Sequence, residues 1–107
     1  MTMLPLTRRP DGIQAFKLVI RAGKRRRTPE LKVHEGYEWV YVPDARLRLV
    51  LADHDLIVTP GQAADFDART PHWFASAAGG AVEFLGLFGE QGAHAHLRAQ
   101  PRPRGKR

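Results

Sequence analysis

The chain is 107 residues long, 43% hydrophobic and without cysteine, and it carries a formal net charge of +6. That length holds one domain and excludes a second folded unit of ordinary size; the missing cysteines exclude disulfides and thiolate chemistry, so any metal must be held by imidazole and carboxylate. No apolar run approaches the roughly 18 residues of a membrane span, and residues 1–6 are too short and proline-broken for the apolar stretch of a signal peptide, so a soluble cytoplasmic protein is expected.

The charge is unevenly divided. Residues 1–33 hold nine Lys/Arg against two acidic residues, residues 34–96 three against nine, and residues 97–107 five against none. The middle of the chain is acidic, and the basic character belongs to two flanks, Lys24-Arg25-Arg26-Arg27 and the proline-containing end. Such runs are expected to be solvated ends, with a non-specific nucleic-acid contact as the functional alternative.

In chain order, residues 1–14 read as an N-terminal arm, 15–96 as the folded barrel and 97–107 as a basic disordered tail. Residues 15–21, rich in β-branched and aromatic side chains, predict the first strand. A polar loop over 24–30 follows, residues 31–33 enter a second strand, and Gly36 interrupts it. Residues 39–42 and 47–51 predict two strands joined as a hairpin across Pro43-Asp44-Ala45-Arg46, whose Pro and Asp suit a turn. In the second of these, Leu47, Leu49 and Leu51 alternate with Arg46, Arg48 and Val50, which predicts one buried face and one largely wet face. Asp53-His54-Asp55 is the next predicted turn, and 56–59, 64–66, 72–75 and 82–88 the remaining strands, with turns at Pro60-Gly61 and Ala78-Gly79-Gly80. Residues 91–97 predict at most one helical turn. Many short strands separated by turns every eight to twelve residues predict an all-β sandwich or barrel.

Three metal-capable side chains stand at the ends of these runs: His34, Glu38 and His72. In a straight strand His34 and Glu38 would lie about 13 Å apart at roughly 3.3 Å per residue, too far to share an ion, so the chain must turn between them. Gly36 takes the necessary backbone angles without steric penalty. Pro71 fixes the backbone just before His72. Two imidazoles and a carboxylate suit zinc, iron, manganese, nickel or copper and leave positions open for water or a ligand. Glu35 has the opposite parity and is expected to face solvent. His94-Ala95-His96 lies beyond the last strand, and His54 sits between two aspartates in a turn; both are weaker metal candidates. Of the aromatic residues Trp39, Tyr41, Phe66, Trp73, Phe74, Phe84 and Phe88, most belong to the core, and Tyr41 and Phe84 are the pair expected to line a ligand pocket.

The runs His34-Glu35-Gly36-Tyr37-Glu38, Pro60-Gly61 and Thr70-Pro71-His72-Trp73, in this order and spacing, resemble the two motifs of the cupin superfamily. Together with Asp65-Phe66-Asp67 and Leu87-Phe88-Gly89, they are most similar to the small C-terminal cupin of bacterial transcriptional regulators of the xenobiotic-response-element type. The resemblance covers about residues 15–92 and implies a double-stranded β-helix, or jelly-roll barrel, with a pocket inside. It places His34 at the second histidine of the first motif, Glu38 at its glutamate and His72 at the histidine of the second. Lys32 stands where the first histidine is usual, Ala45 where a glycine ends the first motif and Ser76 where an asparagine follows the second. A protonated lysine donates and is a poor metal ligand. It is expected either at the surface or as an anion-binding group in the pocket. The three remaining positions either bind one divalent transition metal or form a metal-free polar pocket.

Two functions follow. The first is a non-enzymatic sensor in which the barrel binds a small-molecule effector, without a helix-turn-helix of its own because residues 1–33 are too few and too strand-like to supply one. The second is a small metal-dependent oxygenase or isomerase built on His34, Glu38 and His72. A homodimer formed through an edge strand is expected in either case.

Overall fold

The computed structural model describes residues 1–8, 11–23 and 28–89. These form eight strands: β1 (Thr2–Pro5), β2 (Gln14–Ile20), β3 (Tyr37–Val42), β4 (Leu47–Leu51), β5 (His54–Val58), β6 (Gln62–Asp67), β7 (His72–Ser76) and β8 (Val82–Gly89). They lie in two antiparallel sheets, one in the order β1-β2-β8-β3-β6 and the other β5-β4-β7. Two such sheets bury their inward faces against each other. Leu18, Ile20, Val40, Val42 and Phe84 from the larger sheet meet Leu47, Leu49 and Val58 from the smaller one in a single buried cluster. This is the all-β architecture that the regular strand spacing predicts, in the jelly-roll form that the resemblance implies.

The N-terminal segment expected as an arm contributes an edge strand, with Thr2 to Pro5 in register with Val19 to Phe16 of β2. Residues 31–33, expected as a strand, make only an isolated bridge between Lys32 and His72. The predicted 43–46 hairpin is not one. β3 pairs with β6 and β8, whereas β4 pairs with β5 and β7, so the Pro43–Arg46 connection crosses from one sheet to the other. The physical reason is burial: Val40 and Val42 before the loop, and Leu47 and Leu49 after it, can cover one another only from opposite sheets. The loop also lacks the left-handed residues that tight hairpins require. The tight hairpin lies instead between β4 and β5, where Leu51 pairs with His54 across Ala52-Asp53 and Ala52 adopts φ +53°. The outer face of β4 is drier than its alternation suggests, because Val50 is buried with Trp73 and Ala75. Arg48 there lies 5.3 Å from the Trp73 ring centroid and is bonded through two nitrogens to Asp55 at 3.0 and 2.8 Å. Among the described residues no helix is long and apolar enough to cross a membrane. Residues 24–27, the 91–97 helical turn, His94, His96 and the 97–107 tail lie outside the described residues.

Gly36 fixes the entry into β3. Its φ is +107°, and a Cβ there would fall 2.6 Å from the carbonyl oxygen of Gly89 on β8. The expected effect of Gly36→Ala is therefore a loss of about 1–3 kcal/mol from backbone strain alone, read as a lower urea midpoint; an unchanged midpoint would show that this segment rearranges freely.

Candidate metal centre

Glu38 is the second residue of β3, flanked in register by Phe66 on β6 and Phe88 on β8, and its side chain is only 2% exposed. His72 begins β7, and its ring is 5% exposed. His34 lies outside any strand, and its side chain is 47% exposed. Four backbone bonds bring it back onto the barrel: His34 N–H donates to Ala68 O at 3.1 Å, Ala68 N–H to Gly36 O at 2.9 Å, and Lys32 and His72 exchange two bonds of 3.0 Å. The bend at Gly36, with φ +107°, then shortens the separation that a straight strand would give. His34 Nε2 ends 2.7 Å from Glu38 Oε2, and His72 Nε2 reaches the same oxygen at 3.2 Å. The two imidazole rings stand edge to face with centroids 5.0 Å apart.

The remaining hydrogen bonds decide the chemistry of this junction. His72 Nδ1 is 2.7 Å from the Thr70 carbonyl, and His34 Nδ1 is 3.0 Å from the Glu35 carbonyl. Carbonyl oxygens only accept, so both Nδ1 atoms carry the proton and donate it, which leaves each neutral ring with a bare Nε2. Two bare nitrogens and a carboxylate oxygen then face one another, and a shared proton or a metal ion would relieve this meeting of lone pairs. The second oxygen of Glu38, Oε1, is buried without a hydrogen-bond partner, a further acceptor in need of positive charge. The ligand atoms of His34, Glu38 and His72 all lie within 4.8 Å of one another. Two imidazoles oriented by carbonyls, together with a buried carboxylate, are a donor set that fits a divalent transition metal.

In the absence of metal the cation is a proton. Burial lowers the pKa of His72, but the Glu38 carboxylate and the Thr70 carbonyl more than offset it, and the net direction is upward.

These residues open into a cavity of about 530 Å³, within the usual range for small-ligand pockets. Its polar lining is Glu30, Lys32, His34, Glu38 and His72. Met1, Met3, Ile20, Phe74 and Phe88, with Trp73, supply the apolar part. Lys32 is exposed and stands at the cavity wall. The expectation for Tyr41 and Phe84 is corrected. Tyr41 stacks on Trp39 with centroids 6.2 Å apart. It has the opposite parity to Glu38 along β3, so it faces away from the pocket. Phe84 is 1% exposed and packs on Phe74 at 5.3 Å between centroids, deep in the core. Of the residues missed, Phe88 was legible as the neighbour of Glu38 only once strand pairing was known, and Glu30 by its period-two spacing from Lys32 and His34. Nothing in the sequence pointed to Met1 or Met3. His54 and Glu35 are exposed and belong to no cluster of metal-capable groups among the described residues.

A two-sheet jelly roll with an inward His-Glu-His junction and a pocket above it defines a small β-barrel of ligand- or metal-binding type. The cupin domain profile matches residues 18–88, and the chain belongs to the cupin family. No curated protein matches the chain at a significant level. Solved structures do. The cupin domain of a xenobiotic-response-element-family transcriptional regulator from Enterobacter cloacae superposes with a TM-score of 0.67 at 20% identity, over 82% of this chain and 94% of that one. Protein TT1209 from Thermus thermophilus gives 0.69 at 19% identity over 84% and 83%. The iron(II) form of HppE with its substrate gives 0.69 at 14% identity over 80% of this chain and 52% of that one, so the present chain spans about half of HppE. Identities this low show a shared fold.

The raised His72 pKa sets a sign for the pH dependence of stability. In metal-free protein its contribution is complete below the unfolded value of about 6.5 and is lost as pH rises through the higher folded value. The urea midpoint of chelator-treated protein is expected to fall over that interval, and His72→Ala to flatten the slope; a midpoint that rises there would contradict the assignment. Metal affinity is expected to move the opposite way and increase with pH, because the ion competes with the proton.

Proposed function

We propose that this chain is a small-molecule-binding cupin of the regulator-sensor type, whose ligand is held in the barrel against a divalent transition metal on His34, Glu38 and His72. The observation that carries this reading is the meeting of three acceptor atoms, two of them on buried side chains, at one end of a largely apolar cavity. The metal, when bound, supplies positive charge that attracts and polarises a donor atom of the ligand. The chain's own groups do the rest: Glu38 balances the charge from the sheet interior, Thr70 and Glu35 hold the two rings in the ligating tautomer, and Phe74 and Phe88 keep water from the inner wall. Support for a sensor comes from the likeness in fold to the regulator's cupin domain, which this chain matches over nearly its whole length. A cytoplasmic location, a homodimer and a salt-sensitive contact of the basic flanks with nucleic acid are part of the same reading.

A second reading is a small metal-dependent enzyme. It is favoured by the ligand count, since three protein ligands leave coordination positions for a substrate, and by the fold likeness to iron(II) HppE, which was crystallised with its substrate.

Both readings require the metal. Purified protein incubated with Zn(II), Fe(II) or Mn(II) and then desalted is expected to retain about one equivalent, and His34→Ala, Glu38→Gln and His72→Ala to retain far less. At a free metal concentration 100 times Kd the gain in stability should be about 2.7 kcal/mol, seen as a metal-dependent thermal shift absent from the variants. Retention of well under one equivalent with every ion would rule out both readings. Steady turnover of a substrate by the loaded protein would favour the enzyme over the sensor.

A further inference from the structure

We infer that the pocket selects a small organic acid, a carboxylate on an apolar body, and that Lys32 is the residue that reads its charge. This rests on the metal-dependent reading above and adds the ligand class. Lys32 and His72 are directly opposed in an antiparallel bridge and exchange two backbone bonds of 3.0 Å. Directly opposed residues project to the same side with Cβ atoms about 5 Å apart, so the Lys32 stem starts beside the buried imidazole and both side chains line the cavity. The four-carbon stem gives its ammonium the reach to meet a group bound at the junction. No carboxylate lies within 4.0 Å of that ammonium among the described residues, whereas Lys17, which faces the outside of the sheet, is paired with Glu83 at 3.1 Å. An uncommitted cation at the edge of a cavity is a site for an anion.

The charges fix the sign. A divalent ion on two neutral imidazoles and the Glu38 carboxylate leaves one positive charge, and Lys32 adds a second, against the single carboxylate of Glu30 on the same wall. The balance is positive and suits an anion. The side chains of Met1, Met3, Ile20, Phe74 and Phe88 are apolar and suit an apolar body.

The test uses the full zinc-loaded chain and two probes with one benzyl body, phenylacetate and phenylacetamide, with binding read by calorimetry. Phenylacetate is expected to bind at least tenfold more tightly than the neutral amide. Lys32→Met should reduce the acid-to-amide ratio to within about threefold while zinc content stays at one equivalent, and Lys32→Arg should preserve the ratio. With zinc retained, equal binding of acid and amide, an unchanged ratio in Lys32→Met, or no binding of either probe at millimolar concentration would each overturn the inference alone. Failure of the wild-type chain to retain zinc or another divalent ion would remove the underlying reading, and the inference with it.

Discussion

Three acceptor atoms share one small volume at the centre of this protein, and the rest of the site is arranged around the need for a cation between them. The Nδ1 protons of His34 and His72 are committed to the Glu35 and Thr70 carbonyls, so neither ring can turn an N–H toward Glu38 without becoming charged. Glu38 cannot relieve the conflict by moving into water, because its carboxylate is buried in the sheet between Phe66 and Phe88. A shared proton or a metal ion would resolve the conflict. The upward shift of His72 is the metal-free answer to it. The two answers compete for the same lone pair, which couples occupancy of the centre to pH.

The fold supplies this junction by stitching distant parts of the chain together. The reciprocal Lys32 and His72 bonds and the paired His34, Gly36 and Ala68 bonds tie the segment before β3 to the turn before β7. The positive φ of Gly36 does the rest, by turning a separation of four residues from strand-like distance into a 2.7 Å contact. The crossing at residues 43–46 matters equally. Because β3 and β4 lie in opposite sheets, Glu38 and His72 approach from opposite walls of the barrel, and the cavity opens between them. A β3-β4 hairpin would have put both strands in one sheet and left no enclosed space at that point.

Periodicity and turn residues made most of the strands legible, and with them the parity of Glu38 and the exposure of Glu35. The need for a bend at Gly36 was also legible, since a straight strand cannot bring i and i+4 together. Pairing was not. Alternation says which side of a strand a residue occupies but not which strand lies beside it, so the turn residues at 43–46 pointed to a hairpin where the chain crosses between sheets. The same gap explains the pocket walls: Phe88 acquires its place only from the register that sets it opposite Glu38. Tyr41 is different, because its odd spacing from Glu38 already turns it to the outer face. Phe84 has the inward parity of Phe88 but lies two repeats of the pleat away, against Phe74 and the core.

The junction is asymmetric: His72 and Glu38 are buried, while nearly half of the His34 side chain remains exposed. Desolvation strengthens electrostatic interactions at the buried pair and leaves the exposed ring exchanging with water. Release and capture of an ion or ligand therefore have an open side, the one that carries His34 and Lys32. A histidine at position 32 would add another neutral donor on that side and bring the protein's own ligands closer to saturating an ion. A lysine there adds positive charge and contributes no lone pair while protonated, so the open positions and the local field both favour a group brought by the ligand. On the metal-dependent reading proposed above, the departure from the usual motif shifts the centre from holding an ion tightly toward presenting it.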